Sequence, residues 1–291
     1  MADKQDVPTN RSGSLGDLTD LPPIPIVATR VMVLVQNPDT TADQLTRVVS
    51  TDQGLTSKLI RLSNSAEYSF GHRCSSARDA IHLLGFLQVR QIAITSSLMS
   101  IFKGPLEDDA TFDSDLFWAH SLTVAVAAET VARVTKTAAP ADAFTAGILH
   151  VLGRLVIRRK MPEEFRKAGQ LALERGMPLH EAELEMTGFS HEAVGEEAAT
   201  CWRFPPLLAG AIGTHHRNDL TAKRHGLAGV IAQCDRMVLS QGVTCGYYGD
   251  TPECDPNDPE IVEVEQLAGG IDSMMTRAAW FMNKTLGVGA A

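Results

Sequence analysis

Aromatic residues make up only 5% of this 291-residue chain, and its five cysteines are scattered. Cys74, Cys201, Cys234, Cys245 and Cys254 are odd in number, widely spaced and without a CxxC pair, which excludes a disulfide framework. A reducing, cytoplasmic compartment is the expectation. No stretch approaches the ~18 consecutive apolar residues of a spanning helix, and the polar start from Met1 to Asp20 lacks the basic-then-apolar order of a signal peptide. Positive charge is short as well, with 26 Lys and Arg against 35 Asp and Glu and a net charge of -9. Clustered cations are what replace counterions on a duplex, so a general nucleic-acid binder is excluded. The partners expected are proteins or small molecules, with neither nucleic acid nor membrane among them. Sustained two-residue alternation rich in β-branched side chains is also missing, which excludes a sizeable sheet.

Helix signals fill the chain instead. Residues 1–18 mix polar types without periodicity and read as a flexible tail that cannot bury enough apolar surface to order itself. From Leu21 the prolines of LPPIPIV can start a helix whose inward face is Val27, Val31 and Leu34. Thr41 and Gln44 have the form of a capping box ahead of Leu45, Val48 and Val49, and Asp52 opens a helix with Leu55, Leu59 and Leu62 inward. Ser75 or Ser76 caps a segment that stops at Gly85, after which Phe86, Val89, Ile92, Ala93 and Leu98 continue a longer one. A polar connection near 103–113 interrupts the pattern. Further helices are expected over 115–136, 141–160, 162–175, 178–186, 190–202, 206–215 and 220–241. The fold expected is all-α, a helical bundle of two lobes over 19–102 and 113–240. A solvated acidic Gly/Pro-rich loop over 241–258 and a C-terminal helical extension over 259–291 complete it.

The second lobe carries its chemistry on separate segments: His120 in FWAHS, His150 in AGILHVLGRL, His191 in GFSHEAVG, His215 and His216 in GTHHRND, and Asp235 in IAQCDRM. Facing helices of a bundle can point such side chains into one pocket, as helical metal sites do. A histidine on a helix is also an ordinary hydrogen-bonded core residue, and spacing alone does not choose between the two.

The order of these segments resembles that of the HD phosphohydrolase superfamily: a first His, an LLHDxGK-like stretch, HxxxG, HH and a late Asp. LPPIP, DQGLTSKLIRLSNSAEYSF, AIHLLGFLQVRQIA and WRFPPLLAGAIGTHH are similar to the HDOD domain, a relative within that superfamily, and the likeness covers about residues 19–240. It implies an HD-like second lobe and a role in bacterial signal transduction near two-component or cyclic-dinucleotide systems. One departure stands out: the family's His-Asp pair is here His150 followed by Val151, whose side chain has no lone pair for a cation. The GYP of the HD-GYP branch is missing too, since His216 is followed by Arg217, Asn218 and Asp219.

Two functional readings follow. In the first, the chain is a regulatory module without catalysis that acts through a protein partner and keeps a degenerate site. In the second, it is a metal-dependent phosphohydrolase that tolerates Val151. A divalent ion such as Fe or Mn would sit on His120, His150 and Asp235, with His191, His215 and His216 as a second set. Arg154 is an anion-site candidate or the partner of a nearby carboxylate. Trp118 and Trp202 are assigned to the core. Cys245 and Cys254 flank the acidic loop, but two cysteines without further ligands make a poor zinc site.

Overall fold

Capping chemistry sets the first helices. In the computed structural model, which describes residues 18–65, 68, 73–102, 112–216, 226–247 and 255–286, Thr41 and Gln44 close a reciprocal box at the start of α2 (Ala42–Val49). The Gln44 N–H donates to Thr41 Oγ1 at 3.3 Å and the Thr41 N–H to Gln44 Oε1 at 2.7 Å. Asp52 Oδ1 accepts from the Leu55 N–H at 2.9 Å to open α3 (Gln53–Ser63). α1 (Ile26–Gln36) precedes them, and α4 (Ala77–Phe102) follows as two helical stretches joined at Gly85. There φ is 78°, a conformation glycine adopts without steric cost.

The chain then runs through α5 (Ser114–Thr135), α6 (Pro140–Leu149), α7 (Leu152–Lys160), α8 (Pro162–Arg175) and α9 (Leu179–Thr187). α10 (His191–Cys201), α11 (Pro206–Ile212), α12 (Gly226–Ser240), α13 (Pro259–Ala268) and α14 (Ile271–Leu286) complete the order. The fold is all-α; among the described residues the sole β feature is an isolated antiparallel bridge between Phe112 and Tyr247. α5 is buried along most of its length and packs against α6, α12, α13 and α14. One contiguous apolar core runs from Leu18 to Phe281 and includes Trp118 and Trp202. The segment Pro140–Lys160 is long and apolar enough to cross a membrane, but 83% of its most apolar window is buried inside the fold, as befits a core segment.

Two expectations change. The single helix anticipated over 141–160 is broken: α6 ends at Leu149, Val151 takes φ -94° and ψ 8°, and α7 starts at Leu152. The run is buried on every side, so no amphipathic stripe marked the change of direction. Close helix approach flanks the break on both sides. A Cβ on Gly147 would lie 2.5 Å from Ala125 Cα of α5, and one on Gly153 would lie 1.9 Å from the His191 carbonyl oxygen of α10. The acidic loop is likewise divided. Cys245 and Tyr247 are buried, and the Asp113 N–H donates to the Gly246 carbonyl at 2.8 Å. Averaging composition over 241–258 hid this apolar start within the acidic stretch that follows it. The tail through residue 17, positions 103–111, Arg217 to residue 225, Cys254 and residues 287–291 lie outside the described residues.

Gly153→Ala is expected to destabilise the protein by about 3 kcal/mol or more, because two backbones would have to separate. Gly169→Ala, inside α8 with no heavy atom within 4 Å of the added methyl, is expected to gain about 0.8 kcal/mol. Urea denaturation of the two variants checks the opposite signs.

Candidate metal centre

His120 projects from the middle of α5, His150 follows the last residue of α6, and Asp235 lies in α12. Their side chains converge. His120 Nε2 is 3.2 Å and His150 Nε2 is 3.3 Å from Asp235 Oδ1, and the two Nε2 atoms are 3.3 Å apart. The opposite ring nitrogens are engaged: His120 Nδ1 lies 2.9 Å from the Val243 carbonyl and His150 Nδ1 lies 2.7 Å from the Gly147 carbonyl. A carbonyl only accepts, so each Nδ1 carries a proton and each ring turns its Nε2 toward Asp235. Three electron-pair donors on a triangle of this size repel unless a proton or a cation sits among them. Donors bound about 2.1 Å from one ion at angles between square and tetrahedral stand about 3.0–3.4 Å apart. The observed edges fit that range, and backbone carbonyls behind both imidazoles are the usual outer support of histidine ligands.

A second cluster adjoins the first. His191 Nε2 lies 3.2 Å from His215 Nε2, while His191 Nδ1 is 2.6 Å from Glu183 Oε2 and His215 Nδ1 is 2.7 Å from the Ile212 carbonyl. His216 completes the set, its Nε2 3.9 Å from Asp235 Oδ2, so the Asp235 carboxylate lies between the two clusters. Each triplet has ligand atoms within 4.8 Å of one another and could hold a metal ion.

Electrostatics favour ligand forms. Burial would raise the Asp235 carboxyl, but the His150 and His120 imidazoles at its oxygens outweigh this and hold it well below the usual carboxylate range. Burial pushes His191, His215 and His216 well below the ordinary imidazole value, with Arg154 adding to the effect at His191 and His150 at His215. These three rings are neutral at pH 7 and keep a lone pair. The Cys234 thiol, beside Asp235 in sequence, is pushed up by burial and stays protonated.

All six predicted ligands are thus brought together. Val151 occupies the place of the expected carboxylate and is 1% exposed, part of the apolar core. Arg154 is buried, and the anion it meets is the Glu183 carboxylate, with Nε donating to Oε1 at 2.7 Å; its NH1 also touches the Cys245 sulfur. Glu183 therefore joins Arg154 to His191. Sequence reasoning missed it, although it falls on the buried stripe of α9 with Leu179, Ala182 and Thr187. His180 was missed too; its ring stacks on His216 with centroids 4.5 Å apart and planes 12° apart. Val243, which orients His120, carries no side-chain signal because its carbonyl does the work.

An all-helical bundle that gathers His and Asp side chains from separate helices into one buried pocket is the architecture of an HD-related domain. The HDOD domain model matches residues 21–218, and the chain belongs to the HDOD family. An HDOD domain protein of unknown function from Geobacter sulfurreducens is 27% identical, with a TM-score of 0.72 over 92% of this chain and 94% of that one. A candidate signal transduction protein from Marinobacter aquaeolei VT8 (24% identical, TM-score 0.69, 90% of this chain and 60% of that one) has the same fold. So does a candidate phosphohydrolase from Shewanella amazonensis SB2B (24%, TM-score 0.64, 92% and 93%). An uncharacterized protein of Treponema pallidum (strain Nichols) is 25% identical over 210 residues, 72% of this chain and 40% of that protein. The chain thus spans less than half the length of this curated relative.

The depressed imidazoles make stability depend on pH. His191, His215 and His216 bind protons in the unfolded chain below about 6.5 but not in the fold, so their contribution is complete above about 6.5 and is lost as pH falls. Glu183, raised by burial, acts with the opposite sign as one group against three. Metal-free protein is expected to be less stable at pH 5.5 than at 7.5, with a net uptake of protons on unfolding. Denaturant titrations at the two pH values measure this; a flat profile would contradict it.

Proposed function

We propose that this chain is a regulatory signal-transduction module that holds one divalent metal ion on His120, His150 and Asp235 and does not hydrolyse phosphate esters. The observation that carries the reading is the burial of the donor set beside Val151. His120 and His150 are fully buried and Asp235 is 2% exposed, with only His216 of the adjoining cluster reaching 10%, so an ester cannot touch these three donors without rearrangement. Hydrolysis on an HD scaffold needs a donor that Val151 lacks. Two imidazole nitrogens and one carboxylate suit Fe or Mn. An ion there would supply the positive charge that Asp235 needs and tie α5, α6 and α12 together. The output is interaction with a protein of a bacterial signalling pathway, a role in keeping with family membership and the acidic surface charge.

A second reading, a metal-dependent phosphohydrolase, is favoured by one observation: His216, 3.9 Å from Asp235 Oδ2, belongs with His191 and His215 to a second set of donors. Metal analysis of the purified protein, followed by assays on nucleotides and cyclic dinucleotides with and without Mn²⁺ or Fe²⁺, separates the two. The proposal expects about one equivalent of metal, lost in His150→Gln, and no turnover. Chelation is expected to lower stability by roughly 3 kcal/mol if the ion is held about 100-fold above its Kd. Metal-dependent turnover abolished by His120→Ala would establish the hydrolase.

A further inference from the structure

α12, which carries Asp235, ends in a Schellman turn. Gly242 takes φ 78°, its N–H donates to the Leu239 carbonyl at 2.9 Å, and the Val243 N–H donates to the Val238 carbonyl at 3.3 Å. The turn sends residues 243–247 back across the start of α5. They lie outside residues 21–218, over which the family likeness runs.

Three contacts tie this short strap to both histidine clusters. The Val243 carbonyl faces His120 Nδ1 at 2.9 Å. The Cys245 sulfur touches Arg154 NH1, and Arg154 holds Glu183, whose other oxygen meets His191. The Gly246 carbonyl accepts from the Asp113 N–H at 2.8 Å, directly ahead of α5. At Gly246 φ is 81°, and a Cβ would lie 2.3 Å from the Asp113 carbonyl oxygen, so the seat accepts glycine alone.

Seating is opposed from within. Tyr247, 2% exposed, packs on Phe112 and Phe165 with ring centroids 4.7 Å and 4.9 Å apart, yet its hydroxyl is buried without a hydrogen-bond partner. Ring burial favours the seated strap, whereas a hydroxyl that regains water on lifting favours release. An element held by such opposed terms opens at a lower free energy than the whole fold.

We infer that residues 243–247 form a releasable strap whose seating is coupled to metal occupancy at His120, His150 and Asp235, with the Val243 carbonyl as the positioning group. Seated, that carbonyl fixes a proton on His120 Nδ1 and turns Nε2 toward the ion; lifted, the ring loses this support. Outer partners of this kind are worth roughly 10–100-fold in metal affinity. Coupling is reciprocal, so a bound ion holds the strap down by the same factor. The inference rests on the metal reading above and adds to it a part whose position follows occupancy.

Hydrogen exchange in the full chain reads the strap through the Asp113 amide, whose acceptor is the Gly246 carbonyl. Saturating Mn²⁺ is expected to slow exchange at Asp113 roughly 10–100-fold and to leave the Gln44 amide, in the capping box of α2, unchanged. Tyr247→Phe, which deletes the unmet hydroxyl and touches no metal donor, is expected to slow Asp113 exchange roughly tenfold in the absence of metal. Gly246→Ala is expected to weaken Mn²⁺ binding by the same factor by which Mn²⁺ slows Asp113 exchange in the wild-type protein, with thermal unfolding used to show that the variant is folded. If the wild-type chain binds no Mn²⁺, the metal reading falls and the inference falls with it. If it binds Mn²⁺ while Asp113 exchange stays unchanged, or a folded Gly246→Ala variant keeps wild-type affinity, or Tyr247→Phe exchanges faster at Asp113, the strap alone is overturned. Should Gly246→Ala fail to fold, the two exchange measurements decide.

Discussion

Asp235 carries a carboxylate into a pocket where only 3% of its side chain meets solvent, and the surrounding structure is arranged to receive that charge. A buried, uncompensated carboxylate costs several kcal/mol and would otherwise take up a proton. Two imidazoles meet its Oδ1 within 3.3 Å and a third stands 3.9 Å from its Oδ2. Each of the two nearer rings is held by a backbone carbonyl, from Gly147 in α6 and from Val243 after α12. The close approach of α5 and α6 at Gly147, the break after His150 and the inward course of residues 243–247 all place groups around this one carboxylate.

The second cluster extends the same compensation outward. Glu183 is a fully buried acid, and it is met by Arg154 on one oxygen and by His191 on the other. A chain of contacts thus runs from the Cys245 sulfur through Arg154, Glu183 and His191 to His215. In this setting Val151 changes the balance of charge as well as the donor count. One fewer carboxylate in the pocket leaves Asp235, among the described residues, as the only acid touching the histidines of the first cluster, which favours a single cation over two.

Much of the fold was legible because local chemistry and tertiary structure agree. The Thr41–Gln44 box, the Asp52 cap and the stop at Gly85 stand where their residue types put them. The membership of both His/Asp clusters was legible from the order of His120, His150, His191, His215, His216 and Asp235, although their convergence is a property of packing that no local pattern encodes. What escaped did so for physical reasons. The break at His150 lies in a run buried on all sides, where hydrophobic periodicity has no contrast. Val243 acts through its backbone. Glu183 lies between Glu181 and Glu185 in an acidic stretch whose composition does not distinguish the one that α9 turns inward with Leu179 and Ala182.

The central claim is that a cation, rather than protons alone, holds His120, His150 and Asp235 together. Anomalous diffraction at the iron and manganese edges, from crystals of protein purified without chelators, tests it most directly. The account predicts one strong anomalous peak within bonding distance of His120 Nε2, His150 Nε2 and Asp235 Oδ1. The same three side chains in the same positions with no peak among them, at either edge, would contradict it.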